Sequence, residues 1–272
     1  AAKLACMTAS PRPASALRGC YVISLRPVGG HAGMRRAAAA HGARTLALSP
    51  WRLVPRGADA LAGLDNALRA PTAIFTSPAA VHAAADLASL APEAGQQRLA
   101  VGATTAAALR RAGVASAAYP QRMDSEGLLG LPALADVTGL DIGLVTAPEG
   151  RSFLTESLQA RGARVLRADV YDRVPVAPSA QALARLRALP SATPLVLALS
   201  SGLALEMLVA SLPADVLRRL HTARVTAASA RLVELARSHG FNAVVQGADA
   251  RPASLLAAAA DAGPFGPSGA GQ

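Results

Sequence analysis

Five junctions in the chain could bind an anionic ligand. Each is an apolar strand that runs into Ser, Thr or Gly and then into a helix; they read FTSPAAV, VGATTAAAL, TAPEGRSFL, ALSSGLAL and VTAASARL. A helix N-terminus presents unpaired N–H groups and a partial positive charge, so it suits a carboxylate or phosphate. The candidate hydroxyl groups belong to Ser77, Thr105, Ser200, Ser201 and Ser229. All but Ser200 would equally serve as ordinary helix N-caps. Repetition of the design favours a ligand with several anionic groups.

One tyrosine stands out because it breaks a repeated phrase. RGARVLRADVYDRVP, residues 161–175, matches HGARTLALSPWRLVP, residues 41–55, with Gly-Ala-Arg and Val-Pro in register. Tyr171 occupies the place that Trp51 holds in the first copy. The duplicated scaffold therefore carries a polar group that is not duplicated.

Other site chemistries lack their usual residues. RPVGGHAG has glycines after the first strand, but their spacing is not Gly-x-Gly-x-x-Gly. No Gly-x-Ser-x-Gly, P-loop or paired-carboxylate pattern stands out. The histidines are dispersed without metal-ligand spacing and are interpreted as structural or solvated; they are His31, His41, His82, His221 and His239. We expect chemistry without a metal or cofactor.

The elements that would hold these junctions belong to the α/β class. Short apolar runs such as YVISL, RTLAL and TAIFT alternate with Ala-, Leu- and Arg-rich helical segments, which is typical of parallel sheets covered by helices. The repeat extends beyond its first phrase: AIFTSPAAV corresponds to LVLALSSGLAL, RLAVGATTAAALRRAGV to ARVTAASARLVELARSHGF, and DSEGLLGL to RPASLLAA. Conserved order favours a duplication that produced two similar domains.

Both copies of the repeated phrase end in Val-Pro, and proline disfavours continuing a central strand or a helix. If the chain crosses between domains at each, the first domain holds residues 21–54 and 176–262 and the second holds 55–175. Two consecutive halves are the alternative. The pattern alone does not separate these arrangements.

The charge of the chain restricts its partners. The net charge is +10 and Lys3 is the only lysine. Such a balance suits a polyanionic ligand, although Arg-biased codon usage would produce it too. The arginines are scattered and aromatic residues make up only 3% of the chain, unlike the clustered basic surfaces of nucleic-acid-binding proteins. We expect a small-molecule ligand and no nucleic acid.

The cysteines and the termini bear on compartment and order. Cys6 and Cys20 support neither a disulfide framework nor a zinc site, so a reducing cytoplasm is the simplest compartment. The most apolar stretch, PLVLALSSGLALEMLVASLP, is interrupted by polar residues and predicts a buried strand and helix, with no membrane association. Residues 1–20 and 263–272 are predicted to be disordered tails.

Six motifs occur in a fixed order: LRP at 25–27, FTSPAAV, AVGATTAAAL, DSEGLLGL, APEGRSFLTESLQARGARV and VYDRVP. Together they resemble the uroporphyrinogen-III synthase family over about residues 21–262. Each motif is only moderately specific alone, but six of them in the right order and spacing are strong evidence of the resemblance. The chain departs from the family at Thr146, where a basic residue often precedes the Glu-Gly-Arg element, which puts one anion contact in doubt.

The resemblance implies two α/β domains that have parallel sheets, are joined by two crossing β-segments and have a cleft between them. It also implies that the enzyme uses no cofactor and closes hydroxymethylbilane, a linear tetrapyrrole with eight carboxylate arms, to uroporphyrinogen III. Ring A loses its hydroxyl as water to give an azafulvene. The substituted carbon of ring D then attacks to give a spiro-pyrrolenine, which cleaves and recloses with ring D inverted.

The resemblance also assigns roles to residues. Tyr171 would donate a hydrogen bond to the departing hydroxyl, because a phenol is a donor at neutral pH; packing against the crossing strands is the alternative. Arg26, Arg151 and Ser125 join the junction hydroxyls as substrate contacts, although the two arginines could equally be surface charges. We expect a monomer that receives the bilane, directly or not, from the preceding enzyme of the pathway.

Two other functions would explain part of the sequence pattern. A non-catalytic two-domain protein that closes around a small anion would explain the duplication and the helix termini, but it does not require a phenol at the crossing. A glycosyltransferase-like enzyme would require a nucleotide subsite and metal-binding acids. The sequence shows neither of these features.

Overall fold

The computed structural model describes residues 16–122, 125–148 and 152–265, with the backbone alone of Ser152. The chain forms two compact units. The first holds the described residues up to Arg52 and those from Pro175 onward, and the second holds Leu53–Val174. Both Val-Pro pairs proposed as crossings lie within two residues of these limits.

Strands and helices alternate along the chain. The strands are β1 (Tyr21–Ser24), β2 (Arg44–Ala47), β3 (Trp51–Pro55), β4 (Thr72–Phe75), β5 (Gln97–Ala100), β6 (Asp141–Thr146), β7 (Arg164–Asp169), β8 (Tyr171–Pro175), β9 (Leu195–Leu199), β10 (Arg224–Ala227) and β11 (Val244–Gln246). The α-helices are α1 (Ala32–Ala40), α2 (Leu61–Arg69), α3 (Pro78–Ala85), α4 (Ala103–Arg111), α5 (Ser125–Leu129), α6 (Ser152–Ala160), α7 (Ala180–Arg187), α8 (Gly202–Ser211), α9 (Ala214–Leu220), α10 (Ala230–Ser238) and α11 (Pro252–Asp261). Short 3-10 helices span Gly57–Ala60 and Pro132–Leu134. Within the described part of the chain, no helix is both long enough and apolar enough to cross a membrane.

The first unit is built on a parallel sheet with strand order β11-β10-β9-β1-β2. Its central strand β9 is buried at every residue, which explains why LVLAL is continuously apolar rather than alternating. Because β1 and β2 pair in one sheet with β9, β10 and β11, the two domains are interleaved in the chain and are not consecutive halves.

The ordered residues of the first unit reach beyond the limits expected from the sequence. Leu17 and Cys20 are buried in its core, whereas the sequence predicts a disordered tail up to residue 20. At the other end, Arg224 donates to the carbonyls of Gly263 and Pro264, and Phe265 packs against the same core. The predicted tails were too long because a few apolar side chains and one buried arginine fix the flanking backbone. The remaining tail residues, 1–15 and 266–272, lie outside the described residues.

The second unit is built on a four-stranded parallel sheet with strand order β5-β4-β6-β7. Helix α2 packs on β6 and β7. All four residues of β4 are buried, as are five of the six in β6. One face of the sheet packs into a core with Phe75 and Tyr171, and another core contains Ile74 and Leu144.

The sheet topology agrees with the sequence repeat. The repeat pairs β4 with β9, β5 with β10, and β7 with β2. With β6 in the position that β1 holds in the first unit, the order β5-β4-β6-β7 corresponds to β10-β9-β1-β2. Among the described residues of the second unit, the counterpart of β11 is small: Ala118 forms an isolated parallel bridge with Leu99 of β5. Gly113 and Gly240, which the repeat aligns, have φ of +88° and +85° after α4 and α10. The prediction of two similar α/β domains with parallel sheets is confirmed.

The two crossing segments are the strands that end the repeated phrases. β3 and β8 pair with each other in a two-stranded sheet. Trp51 and Tyr171, which the repeat aligns, are the first residues of these strands and are both buried. The residues that differ between the two copies therefore hold equivalent positions in a paired structure.

Candidate functional site

Each parallel sheet has one pair of neighbouring strands whose onward connections run to opposite sides of the sheet. In the first unit it lies between β1 and β9, because β1 is followed by β2 on one side and β9 by β10 on the other. In the second unit it lies between β4 and β6 for the same reason. Open α/β sheets bind ligands at such switch points, outside the carboxyl ends of the strands. The loops after these four strands are therefore the regions where site residues belong.

In the second unit the structure brings Ser77 and Tyr171 together. Ser77 directly precedes α3, and its Oγ accepts a hydrogen bond of 3.1 Å from the N–H of Ala80, so it is the N-cap of that helix. The same Oγ lies 3.3 Å from the phenol oxygen of Tyr171. Tyr171 is only 4% exposed. A phenol hydroxyl thus lies beside a helix N-terminus, whose partial positive charge stabilises a developing oxyanion.

A pair of threonines ties the two switch-point strands of this unit together. Thr76 Oγ1 donates to Thr146 Oγ1 over 2.9 Å, across the carboxyl ends of β4 and β6. Thr146 is 1% exposed. Thr146, which stands where the family often has a basic residue, therefore takes part in a structural hydrogen bond. This bond fixes the end of β4, just before Ser77.

Three further predicted residues belong to the second unit. Thr105 does not start its helix: Gly102 is the N-cap of α4, and Thr105 is buried inside the first turn. The N-cap interpretation of Thr105 is therefore wrong, because the chain enters the helix at the glycine. Ser125 is the first residue of α5 and is 8% exposed. Arg151 lies outside the described residues.

The first unit places four predicted residues after three neighbouring strands. Arg26 follows β1, is half-buried, and donates from Nη2 to the carbonyl of Ala250 over 3.0 Å. Burial lowers the pKa of its guanidinium. Ser200 and Ser201 follow β9, and Ser201 Oγ accepts from the N–H of Ala204 as the N-cap of α8. Ser229 occupies the N-cap of α10 without a side-chain capping hydrogen bond. Arg26, Ser200 and Ser201 thus flank one switch point.

His31 belongs to the same region, although the sequence pattern did not mark it as a site residue. Its Nδ1 lies 2.9 Å from Ser24 Oγ at the end of β1, and its Nε2 lies 2.9 Å from Ser49 Oγ beyond β2. The ring is 3% exposed. Burial lowers the pKa of His31, and the charges of Arg35 and Arg26 lower it further. The uncharged imidazole therefore connects the ends of β1 and β2 through its two hydrogen bonds, close to the charge of Arg26.

This buried imidazole predicts a pH dependence of stability. The unfolded His31 titrates near its ordinary pKa of 6.5 and the folded one below it, so in that interval the unfolded chain binds more protons. The contribution of His31 to the free energy of unfolding has its full value above pH 6.5. It decreases as the pH falls through this interval, by at most about 1.4 kcal/mol per pH unit. Urea unfolding between pH 7 and pH 5 should show this loss in the wild type and not in His31→Gln.

His82 is exposed and provides the matched control, so His82→Gln should keep the wild-type pH profile. Equal slopes for the wild type and His31→Gln would contradict the role of His31. Two other histidines agree with the sequence interpretation as structural residues, since His41 and His239 are the C-caps of α1 and α10. No group of three His, Cys, Asp or Glu side chains in the described ranges could hold a metal ion.

A family model and two solved structures are similar to this chain. The family model described as uroporphyrinogen-III synthase HemD matches residues 33–257. A mutant uroporphyrinogen III synthase from Thermus thermophilus is 20% identical, with a TM-score of 0.53 over 88% of this chain and 96% of that chain. Uroporphyrinogen-III synthetase from Helicobacter pylori is 12% identical, with a TM-score of 0.57 over 89% of this chain and 99% of that chain. The two structures share the fold, and the family model covers most of the sequence: the chain belongs to the uroporphyrinogen-III synthase family.

Proposed function

We propose that the chain cyclises hydroxymethylbilane to uroporphyrinogen III, with loss of water and inversion of ring D through a spiro-pyrrolenine. The family's enzymes are lyases of tetrapyrrole and haem biosynthesis that act on a small-molecule substrate. The observation that carries the proposal is the match of the family model across residues 33–257. The side chains at the switch points support individual steps.

Recognition of the carboxylate arms is assigned to the carboxyl edges of the sheets. In the first unit Arg26, Ser200 and Ser201 surround the switch point and the N-terminus of α8. Ser229 precedes α10 on the neighbouring strand and its hydroxyl is not used in capping. Guanidinium groups and the N–H groups of helix N-termini are both donors suited to carboxylates. Thr105, Ser125 and Arg151 are retained as proposed substrate contacts of the second unit, Thr105 through the first turn of α4 and not as its cap.

Departure of the hydroxyl from ring A is assigned to Tyr171. The phenol O–H gives its proton to the leaving oxygen, the C–O bond breaks, and water departs from a ring-A azafulvenium cation, which is the protonated azafulvene. Ser77 Oγ, 3.3 Å away, orients the phenol, and the N-terminus of α3 stabilises negative charge that develops on the phenol oxygen. Ring closure releases a proton, which restores the phenol and balances the cycle.

The reaction is tested by the identity of its product. Freshly prepared hydroxymethylbilane is incubated with the protein, the product is oxidised to the porphyrin, and the isomers are separated by chromatography. We expect the type III isomer in excess. A type I product alone, which forms spontaneously, would remove the synthase assignment and favour the non-catalytic anion-binding alternative.

We further propose that the chain acts as a monomer in the cytoplasm and receives the unstable bilane by transient hand-over from the enzyme that makes it. The net charge of +10 supports rapid capture, because a positive protein attracts a substrate with eight carboxylates.

A further inference from the structure

Three large apolar side chains are exposed just beyond the switch-point strands. Val28 follows β1 and is 57% exposed, Leu203 follows β9 and is 41% exposed, and Phe153 follows β6 and is 49% exposed. Each lies two residues after a proposed carboxylate contact, in Arg26, Ser201 and Arg151. Isolated exposed apolar residues are common on proteins, but a repeated position beside polar ligand groups requires an explanation.

Phe153 is the most informative of the three because the chain has few aromatic side chains. Of the four phenylalanines, Phe75 and Phe241 are fully buried and Phe265 packs against the core of the first unit. Phe153 lies in the first turn of α6, while Leu154 and Leu158 are the positions of this helix that reach the core. The ring therefore makes no contribution to the core that would explain its presence.

Val28 and Leu203 are also exposed apolar side chains outside the core of their unit. The backbone of Val28 is fixed, since its N–H donates to the carbonyl of Trp51 over 3.0 Å. Leu203 is 41% exposed and lies outside the packed side of α8, whose buried residues are Gly202, Ala204, Leu205 and Leu208. Neither side chain contributes substantially to the core of its unit.

We propose that Phe153 in the second unit, and Val28 and Leu203 in the first, are each a contact for a pyrrole face of the substrate, beside the polar groups of the same unit that bind its carboxylates. The inference rests on the proposed function and adds a second type of contact to it. A tetrapyrrole has apolar ring faces as well as an anionic rim, and an aromatic ring stacks favourably on such a face. The face of Phe153 also attracts the positive charge that develops on a ring when the hydroxyl leaves.

The test uses Phe153→Ser and Leu203→Ser, with Leu140→Ser as the matched control. Leu140 is 45% exposed but precedes β6, at the opposite end of that strand. Since all three side chains are exposed, the melting temperatures should stay at the wild-type value. KM for hydroxymethylbilane should rise roughly three- to tenfold in Phe153→Ser and Leu203→Ser, as expected when part of an apolar contact is lost. Leu140→Ser should keep the wild-type KM.

An aliphatic tetracarboxylate, butane-1,2,3,4-tetracarboxylate, separates the two types of contact when used as a competitive inhibitor. It has carboxylates and no ring face, so its inhibition constant should be the same for the wild type, Phe153→Ser and Leu203→Ser. Phe153→Leu should restore most of the KM. An unchanged KM in both serine variants, or a parallel rise of KM and the inhibition constant, would overturn the inference.

The wild-type product distinguishes failure of this inference from failure of the proposed function. Absence of the type III isomer from the wild-type reaction would end both. Formation of the type III isomer together with an unchanged KM in the serine variants would end only the assignment of Phe153 and Leu203.

Discussion

Replacing Tyr171 with Phe is expected to lower kcat by roughly a hundred- to ten-thousand-fold, the usual contribution of a positioned general acid. The phenol oxygen is the atom that would meet the leaving hydroxyl, and it lies 3.3 Å from Ser77 Oγ at the carboxyl edge of the second sheet. Removing it leaves the departing oxygen without that donor, while the recognition of the carboxylates is unchanged. KM should therefore change much less than kcat.

The Tyr171→Phe chain should still fold, because the substitution keeps the buried ring. Tyr171 is packed in the core that contains Phe75 and Val170, and only its hydroxyl is lost. The lost hydrogen bond to Ser77 costs about 1 kcal/mol, and Ser77 continues to cap α3 through the N–H of Ala80. Steady-state kinetics and a thermal melt on the same preparation separate catalysis from folding.

Tyr119→Phe is the matched control, because Tyr119 is 44% exposed and has no assigned role. It should keep the wild-type rate. If Tyr171→Phe turns over at close to the wild-type rate, Tyr171 has no part in the departure of the hydroxyl and the packing alternative is correct.

The elements of the fold could be predicted because the sequence signals were local. Ser77 followed by Pro78 indicates a helix start, and α3 does begin there with Ser77 as its cap. Continuous apolar strands indicated parallel sheets, and the repeat indicated two related units. Thr105 shows the limit of the same reasoning. In the sequence Gly102, Thr104 and Thr105 were all possible N-caps of α4, and local pattern did not determine which of them the helix uses.

The site could be predicted only in part, because its members meet through strand pairing. Ser77 and Tyr171 are 94 positions apart and come together because β4, β6 and β7 are neighbours in that order. His31 was missed for the same reason: its partners Ser24 and Ser49 become neighbours only when β1 pairs with β2. Serines at the ends of both strands were the available signal. The exposed position of Phe153 was equally hidden, because a helical pattern does not show which apolar residue is left outside the core.

Replacing Gly143 with Ala is expected to destabilise the second unit by about 3 kcal/mol, the upper end of the range for overpacked cores. Gly143 lies in β6 beneath α2, and a Cβ there would lie 2.8 Å from the carbonyl carbon of Ala67 and closer still to its oxygen. These are backbone atoms of a helix, so no side-chain rotation relieves the clash. Helix α2 must move away from β6 and lose its contacts with the sheet.

Gly63→Ala tests the same interface with the opposite sign. Gly63 lies in α2, and a Cβ there would meet the carbonyl oxygen of Arg167 at 3.5 Å, an ordinary contact. Alanine is the better helix former, so this variant should be stabilised by about 0.5–1 kcal/mol.

Hydrogen exchange followed by mass spectrometry localises both effects. Peptides from α2, β4 and β6 should exchange faster in Gly143→Ala and slower in Gly63→Ala, while β1 and β9 keep their wild-type rates. Unchanged exchange in Gly143→Ala would mean that α2 does not pack on β6 as closely as the backbone positions require.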